Sequence, residues 1–380
     1  MNLADVYPKY PSTIVKGEGC YIWDAEGRQI MDFYSGHGVI SIGHQHPRFV
    51  YRLKKQLETI VYYSNAVHLQ EQEELAQKLG LLSGYENDQL FLVNSGAEAV
   101  ENALKLASFT NGRRQVIAFR RSFHGRTDLA VQCSDSPKLR APINQGLDVI
   151  WLDINDEDAL KQAMNQQVCA VIIEGIQGIG GIHEPSPSFL NLIQTLCQQH
   201  GACFIADEIQ SGFGRSGQFF AHQNADVQPD LITMAKGMGN GFPVGGVIIK
   251  SSIPLSKGML GTTFGGSPLA CAAALAVVET IQEDHLIAKA AENGAWLIEK
   301  LRSLPQVKEV RGRGLMLGID FPFATAKLRS ILFHKFHIIV GSASSEETIR
   351  LLPPLTAGAI ECRRFLECLE QALQEHEEQN

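Results

Sequence analysis

The chain has 380 residues, of which 44% are hydrophobic and 19% are charged, and its formal net charge is −8. A chain of this length can bury a large core and is too long for one simple domain, so we expect one large and one smaller lobe. The sequence has no basic stripe of the kind that binds nucleic acid, and no apolar run approaches the ~20 residues of a membrane span. We therefore expect neither nucleic acid nor a membrane as a partner.

The N-terminal segment and the cysteines indicate in which cellular compartment the protein is expected. Residues 1–19 show neither the apolar core of a signal peptide nor the Arg-rich helix of a transit peptide. The eight cysteines show no CxxC spacing, and Cys169 and Cys203 stand inside apolar runs. A reduced thiol behaves there as a small hydrophobe. These features predict a cytoplasmic protein without disulfides.

The predicted elements change in character along the chain. Residues 1–46 contain short strand patterns with a turn at 24–27. Between about residues 89 and 250, short apolar runs alternate with the i, i+3, i+4 patterns of covering helices. Apolar residues at successive positions are typical of strands covered on both faces in a largely parallel sheet. The runs are 89–94, 115–119, 148–153, 169–174, 203–207, 230–235 and 246–250.

This pattern predicts an α/β protein with two domains. The large domain, residues 47–266, contains a mostly parallel mixed sheet covered by helices. The small α+β domain is built from both termini: residues 1–46 form its first part, and residues 267–380 contain a linking helix and its C-terminal part. Ligands of such sheets bind beyond the carboxyl ends of the strands, so the residues that follow each run are the candidates for a site.

The segment after the run 89–94 has two interpretations. Ser95 offers a hydroxyl, Gly96 allows close approach of the backbone, and a helix follows with unpaired N–H groups, which together suit a phosphate. Ser95 and Glu98 also match a capping box, which is common. On this segment alone, the capping box is favoured.

Acidic residues follow the run 203–207. Asp207, Glu208 and Gln210 stand at the end of a buried strand, where an unpartnered charge costs several kcal/mol. An ion pair between Asp207 and a protonated ring nitrogen is one explanation; the other is that the two carboxylates cap a turn or pair with Arg215. No His or Cys stands at a metal-ligand spacing, so no metal is expected.

A lysine follows the run 230–235. Lys236, with glycines behind it, can be held in a desolvated pocket where its pKa falls and the neutral amine can form an imine. A lone lysine is usually a solvated surface residue. The exposed alternative loses weight here because Lys236, like Asp207 and Ser95, directly follows a strand.

Further residues suit the same pocket. Phe123, followed by His124 and Arg126, provides an aromatic side chain for a planar ring and a cation for a carboxylate. The glycine-rich loop 262–266 offers hydroxyls for a phosphate, and Arg350 precedes a double proline. Taken separately, the two arginines are surface residues; together they would suit a dicarboxylate such as glutamate.

Residues 212–217 match the GxGxxG pattern of dinucleotide-binding folds. They follow a strand, but the next segment has no helical pattern, and the acidic residue expected about 20 positions later is missing. The match is therefore given low weight.

The ordered motifs resemble those of the class III PLP-dependent aminotransferases, which have the fold type I architecture. The resemblance covers nearly the whole chain and is closest to acetylornithine or succinylornithine aminotransferases. Its core motifs are NSGAEAVENALKLA, FHGRT, IADEIQSGFGR, AKGMGNGFPVGG and GTTFGGSPLAC. It implies pyridoxal 5′-phosphate (PLP) as the cofactor, bound in domain 47–266, and a homodimer with active sites at the interface.

The resemblance also implies roles for individual residues. Lys236 carries the cofactor as an imine and moves the proton, and Asp207 pairs with the pyridinium nitrogen. The other implied cofactor-binding residues are Ser95, Gly96 and Ala97 at the phosphate, Phe123 on the ring, His124, Gln210 near the phenolic oxygen, and Thr263 at the phosphate of the neighbouring subunit. The implied substrate-binding residues are Arg126, Thr262, Arg350, His37 and Glu174.

Two positions depart from the family pattern. Ile179 stands where the family usually has a glutamate, which in relatives that use ω-amino donors masks the arginine matching Arg350. An isoleucine cannot form that ion pair. His37 stands where relatives have a phenol or an aliphatic side chain, and it either hydrogen-bonds the donor or only forms the pocket wall.

The function implied is transfer of the δ-amino group of an N2-acyl-ornithine, acetyl or succinyl, to 2-oxoglutarate, giving the semialdehyde and glutamate in arginine biosynthesis. The alternative is another class III ω-aminotransferase that acts on ornithine or 4-aminobutyrate. A binding protein that has lost catalysis is disfavoured, because Lys236, Asp207 and Gln210 are intact. A dinucleotide-dependent oxidoreductase is the remaining alternative.

Overall fold

The computed structural model describes residues 1–378. Its first elements are three short antiparallel strands, β1 (Ile14–Glu18), β2 (Tyr21–Asp24) and β3 (Gln29–Asp32). The carboxylate of Asp24 accepts hydrogen bonds from the N–H groups of Glu26, at 3.1 Å, and Arg28, at 2.9 Å. These bonds close the turn that the sequence predicts at residues 24–27.

A seven-stranded sheet forms the centre of the molecule, in the order β4-β10-β9-β8-β7-β5-β6. Strands β5 to β9 pair in parallel, and β10 pairs antiparallel to both of its neighbours. The strands are β4 (Gln89–Val93), β5 (Gln115–Phe119), β6 (Asp148–Leu152), β7 (Val168–Glu174), β8 (Cys203–Asp207), β9 (Leu231–Met234) and β10 (Gly245–Ile249). The mostly parallel α/β architecture is thus confirmed, and no strand end differs by more than one residue from its predicted run.

The helices cover both faces of this sheet. Strand β7 shows why: Val171 and Ile173 pack into one hydrophobic cluster, whereas Cys169 and Ile172 pack into another on the opposite face. The helices are α1 (Ser35–Gly38), α2 (Pro47–Leu57), α3 (Gln70–Ser83), α4 (Gly96–Asn111), α5 (Asp128–Gln132), α6 (Glu157–Ala163), α7 (Pro187–His200), α8 (Pro268–Glu283), α9 (Leu286–Arg302), α10 (Ala326–His334) and α11 (Ala359–Glu378). Among the helices of residues 1–378, none has both the length and the apolar character needed to cross a bilayer.

The C-terminal strands complete the architecture. Strands β11 (Glu309–Arg313), β12 (Met316–Asp320), β14 (Gly341–Ser342) and β15 (Thr348–Leu351) form an antiparallel sheet in the order β11-β12-β15-β14. Strand β13 (Ile338–Ile339) instead pairs in parallel with β3, so the N- and C-terminal parts of the chain share a sheet. The exact domain limits at residues 46 and 266 stay a prediction.

Candidate active site

A cavity of about 440 Å³ lies at the carboxyl ends of the central strands, within the size range of small-molecule sites. Parallel strands bring the residues that follow them to one edge of the sheet, although the chain separates these residues widely. Ten of the predicted site residues line the cavity: Ser95, Gly96, Ala97, Phe123, His124, Arg126, Glu174, Asp207, Gln210 and Lys236.

Lys236 begins a short 3-10 helix directly after β9. Its φ of 45° lies in the left-handed region, a strained conformation for a lysine that the surrounding structure must hold. Burial lowers the pKa of Lys236 to about 8, although Asp207 and Glu174 act in the opposite direction. At this pKa roughly a tenth of the molecules carry a neutral amine at pH 7, and the neutral form is the one that a nucleophile or a proton acceptor requires.

Asp207 faces the same cavity from the end of β8 and is held on two sides. One carboxylate oxygen accepts a hydrogen bond from the N–H of Ile209, at 3.0 Å, and the other lies 2.6 Å from Nδ1 of His124. Both side chains are buried. Within residues 1–378, Nε2 of His124 is buried without a hydrogen-bond partner. The pair keeps a carboxylate in a fixed position against the cavity.

Glu208 points away from the cavity and has its own partners. Its carboxylate pairs with Nδ1 of His222, at 2.8 Å, and accepts a hydrogen bond from the hydroxyl of Ser211, at 2.6 Å. Arg215 donates to the carbonyls of Leu315 and Pro353. The alternative in which Asp207 and Glu208 pair with Arg215 is therefore wrong, because the guanidinium is turned toward backbone oxygens.

Helix α4 presents its N-terminus to the cavity. Ser95 is the N-cap and accepts a hydrogen bond from the N–H of Glu98, at 3.2 Å, so the N-cap is confirmed. The reciprocal bond of a capping box differs, because the Glu98 carboxylate accepts from the N–H of Asn94, at 2.6 Å, rather than from that of Ser95. The N–H groups of Gly96 and Ala97 stand in the first turn, where a helix offers them no internal partner. A Cβ on Gly96 would come within 2.9 Å of the Ile209 side chain, so a larger residue here would have to displace that side chain. The cap uses the N–H of Glu98 and therefore does not compete with the N–H groups of Gly96 and Ala97 for an acceptor.

Glu174 ties two strand-end loops together. Its carboxylate oxygens accept hydrogen bonds from the N–H groups of Phe123 and Gly178, each at 2.9 Å. Burial raises the pKa of Glu174 to about 6. The residue thus fixes the loop that carries the Phe123 ring, and it adds a second carboxylate near Lys236.

Four predicted site residues lie outside the cavity lining. Arg350 is buried on β15 and donates from Nη1 to Oε1 of Gln210, at 3.4 Å. His37 is exposed, and its carbonyl accepts a hydrogen bond from Nε2 of Gln210, at 2.9 Å. Gln210 therefore links both residues to the cavity. It has room because Gly178 has no side chain: a Cβ there would lie 1.8 Å from Oε1 of Gln210.

The two threonines of the loop after β10 differ in their surroundings. The hydroxyl of Thr262 accepts a hydrogen bond from Nδ2 of Asn94, at 3.3 Å, and Asn94 lines the cavity. Thr263 is exposed and lies away from the cavity of its own chain. Residues 212–217, which match GxGxxG, form mostly buried turns. A dinucleotide site would require an α-helix to begin there, whereas only a short 3-10 helix follows, at Ala221–Ala225.

Sequence reasoning missed several residues of this site. Asn94 immediately precedes Ser95 and could have been found by its position at a strand end. Phe242 and Val244 form a wall of the cavity, and the motif containing them was recognised without a role for either. Tyr34 contacts His37 and Arg350, and no pattern in the sequence signals this contact.

The family model and the similar proteins all belong to the aminotransferases. The family model described as Aminotransferase class-III matches residues 4–373. The acetylornithine aminotransferase of Methanocaldococcus jannaschii is 40% identical over 365 residues, which cover 92% of this chain and 90% of that protein. The acetylornithine aminotransferase of Bacillus subtilis is 38% identical over 383 residues, covering 99% and 98% of the two chains.

The fold is also similar to that of a solved structure. The ornithine aminotransferase of Toxoplasma gondii, crystallized in the presence of oxidized glutathione, matches with a TM-score of 0.93 and 28% identity. The match covers 99% of this chain and 92% of that one. That structure reveals partial occupancy of PLP at the protein active site.

The burial of Lys236 generates a prediction for the PLP-free protein. Its folded-state pKa of about 8 lies below the ~10.4 of a free lysine, so the cost of burial is complete below pH 8 and disappears as the pH rises to 10.4. Lys236→Met should therefore stabilise the protein by about 1–4 kcal/mol near pH 7 and by less near pH 9.5, measured by urea unfolding. Lys250→Met is the control, because Lys250 pairs with Asp230 at 3.1 Å. An equal gain at both pH values would contradict the prediction.

Proposed function

The chain belongs to the class-III aminotransferases, and on that premise we propose that it transfers the δ-amino group of an N2-acyl-ornithine to 2-oxoglutarate. It is a PLP-dependent transaminase. The observation that carries the proposal is the buried amine of Lys236, which shares one cavity with the carboxylate of Asp207. The acyl-ornithine donor is supported by relatives of 38–40% identity, all acetylornithine aminotransferases, which match over nearly the whole chain.

The residues of the cavity fit PLP. The N-terminus of α4, with Ser95, Gly96 and Ala97, is suited to the phosphate, because helix N–H groups and the helix dipole favour an anion. Asp207 is suited to the protonated ring nitrogen and Phe123 to the face of the ring. Lys236 supplies the amine that the cofactor's aldehyde requires. Gln210 and His124 complete the proposed set of cofactor-binding residues.

When bound, PLP supplies the electron sink for breaking a bond at the amine-bearing carbon. The residues of the chain supply the proton transfer and the fixed negative charge. Nζ of Lys236 would accept a proton from that carbon and deliver it to the former aldehyde carbon of the cofactor, which keeps the amine; the lowered pKa of Lys236 suits this role near neutral pH. His124 holds Asp207 in place through the 2.6 Å contact, so the negative charge does not have to reorganise during the reaction.

Two arginines are proposed to bind the substrate carboxylates. Arg126 is exposed at the rim of the cavity, and Arg350 is buried next to Gln210. A guanidinium can bind a carboxylate through two parallel hydrogen bonds, which orients as well as holds it. Arg350 would take the α-carboxylate of glutamate, and Arg126 a second carboxylate. We assign Thr262 and Glu174 to the same substrate-binding group, with Glu174 positioning the loop of Phe123.

We also propose a homodimer with shared active sites. Apolar side chains are exposed on the segment 57–67, and Phe264 is exposed next to Tyr62, with ring centroids 5.3 Å apart. Such a patch marks an interaction surface. The loop of Thr263 belongs to it, which would bring that hydroxyl to the phosphate of the neighbouring subunit.

A cytoplasmic role in arginine biosynthesis is the remaining part of the proposal. All eight cysteines are unpaired and seven are buried, as expected of a protein from a reducing compartment. Burial raises the pKa of thiols such as Cys203 to about 12, so they stay protonated and inert. The pathway is proposed from the reaction of the acetylornithine aminotransferase relatives.

Substitution of Lys236 tests the chemistry. Lys236→Ala should lower kcat by about 10²–10⁴-fold or more, because it removes the group that moves the proton. The purified variant should also lose the cofactor absorbance of the wild type. Lys250→Ala, which changes a lysine that likewise follows a central strand, should retain both. Turnover by Lys236→Ala at the rate of Lys250→Ala would refute the proposed site.

The choice of donor needs its own experiment, because the fold similarity to an ornithine aminotransferase favours ornithine as a second candidate. Initial rates are compared for acetylornithine, succinylornithine, ornithine and 4-aminobutyrate, each with 2-oxoglutarate. An acylated ornithine should have a kcat/KM at least about tenfold above that of ornithine, a difference of ~1.4 kcal/mol. Equal or better rates with an unacylated amine would exclude an acyl-ornithine as the preferred donor.

Mixing two inactive variants tests the shared site. In a mixed dimer of Lys236→Ala and Thr263→Asp, one site carries both changes and the other carries neither. Co-expression should therefore recover about a quarter of wild-type turnover, since half of the dimers are mixed and each has one intact site. Turnover no higher than the average of the two variants measured alone would show that Thr263 serves its own subunit.

A further inference from the structure

Helix α1 has the opposite hand to the other helices. Its four residues, 35–38, have φ angles from 52° to 74°, all in the left-handed region. L-amino acids normally visit this region as single residues, because Cβ crowds the following carbonyl oxygen. Ser35 and His37 are not glycines, so each of them strains the backbone. The N–H of Gly38 donates to the carbonyl of Tyr34, at 2.9 Å, and closes the turn. Such a left-handed turn persists only where the surrounding structure holds it.

Asp32 holds the start of the left-handed turn. One of its carboxylate oxygens accepts hydrogen bonds from the N–H of Ser35, at 2.6 Å, and from the N–H of Tyr34, at 3.1 Å. The other oxygen lies 2.9 Å from Nε2 of His44. Asp32 and Ser35 are both buried, so water does not compete for these bonds. The carboxylate therefore fixes the two peptide groups through which the chain enters the turn.

The end of the left-handed turn packs against Gln210. Gly38 is buried, and a Cβ at this position would lie 3.8 Å from Cγ of Gln210. Nε2 of Gln210 donates to the carbonyl of His37, at 2.9 Å. Oε1 of the same amide accepts a hydrogen bond from Nη1 of Arg350, at 3.4 Å. One amide therefore connects the turn to the guanidinium of Arg350.

These two neighbours allow only one orientation of the Gln210 amide. A carbonyl can only accept and a guanidinium can only donate, so the NH₂ group faces His37 and the oxygen faces Arg350. In the reversed amide, two acceptors would meet at His37 and two donors at Arg350. The carbonyl of His37 points to Gln210 because the backbone there is left-handed, with φ 70° and ψ 29°. The turn therefore determines which group of Gln210 is presented to Arg350.

Arg350 is held by the oxygens of neutral groups. Besides its bond to Gln210, it donates from Nε to the carbonyl of Ser342, at 2.6 Å. The side chain is buried, and no carboxylate among residues 1–378 lies within ion-pair distance of it. A guanidinium has more N–H donors than these two bonds use, and it is planar, so the two bonds fix the direction of the donors that remain. Loss of the bond to Gln210 would release one side of this arrangement.

We propose that Asp32 is a positioning residue for Arg350: it holds the left-handed turn, which orients the Gln210 amide and thereby fixes the guanidinium that binds the α-carboxylate of glutamate. Asp32 does not line the cavity, so it acts only through the residues that it holds. The binding of glutamate by Arg350 rests on the proposed function. The chain of hydrogen bonds from Asp32 to Arg350 does not, because it is a property of the protein itself.

The first test changes the backbone preference of the turn at Gly36, which is exposed and where a Cβ would meet no atom within 4 Å. Asparagine tolerates the left-handed region and valine does not. The reaction of the holoenzyme with glutamate alone is followed by the cofactor absorbance. Gly36→Val should raise the half-saturating glutamate concentration by about tenfold, the value of one hydrogen bond, with a smaller change in the limiting rate. Gly36→Asn should stay within about twofold of wild type. Gly27→Val is the control, because Gly27 is also exposed and left-handed, with φ 81°, and lies outside the cavity. Equal effects of Gly36→Val and Gly36→Asn would overturn the proposal.

The second test substitutes Asp32 and includes a rescue by the conservative variant. Asp32→Asn keeps an oxygen for the two N–H groups, whereas Asp32→Leu has a similar shape and no acceptor. In crystal structures of the holoenzymes, Asp32→Asn should retain the contact between Gln210 and Arg350, and Asp32→Leu should lose it. If Asp32→Leu does not fold, Gly36→Val provides the same measurement. A contact that persists in these variants, or a lost contact with unchanged glutamate saturation, would overturn the proposal. A wild type that shows the contact but does not react with glutamate would refute the proposed function and leave the chain of hydrogen bonds intact.

Discussion

The site depends on one constraint: the amine of Lys236 is kept partly desolvated beside carboxylates, yet it forms no ion pair with any residue between positions 1 and 378. Lys236 and Asp207 share a cavity, yet Asp207 is engaged by His124 and by the N–H of Ile209. Burial therefore outweighs the nearby negative charge, and the pKa of Lys236 falls to about 8. A direct ion pair would have raised that pKa and removed the neutral amine.

The hydrophobic sheet makes this constraint possible. Strands such as β7 place apolar side chains on both faces, so polar residues are tolerated only where the strands end. Parallel pairing brings those ends together, and glycines such as Gly96 and Gly178 leave room where a side chain would clash. The strain at Lys236, with φ 45°, is maintained by the same packing. The packing of the hydrophobic core therefore holds the charged residues at the strand ends and the strained backbone of Lys236 in place.

The surroundings of Arg350, the arginine proposed to bind a substrate carboxylate, differ from those of Lys236. Arg350 is surrounded by neutral groups, namely the carbonyl of Ser342, the amide of Gln210 and the ring of Tyr34. A carboxylate partner would have to be displaced by each substrate, at the cost of a buried ion pair. Neutral partners hold the guanidinium in position and leave its charge available for the substrate.

The sequence alone determined the strands, the order of the motifs and most of the cavity lining, because apolar runs and strand-end residues are local patterns that the parallel sheet uses directly. It left several contacts undetermined. Nothing local indicates that Glu208 binds His222, that Arg215 faces carbonyls, or that Tyr34 joins Arg350 to His37. These residues lie on separate elements, and only tertiary packing selects which polar groups meet. The tertiary structure decided them because a buried polar group takes whichever partner the fold brings within hydrogen-bonding distance.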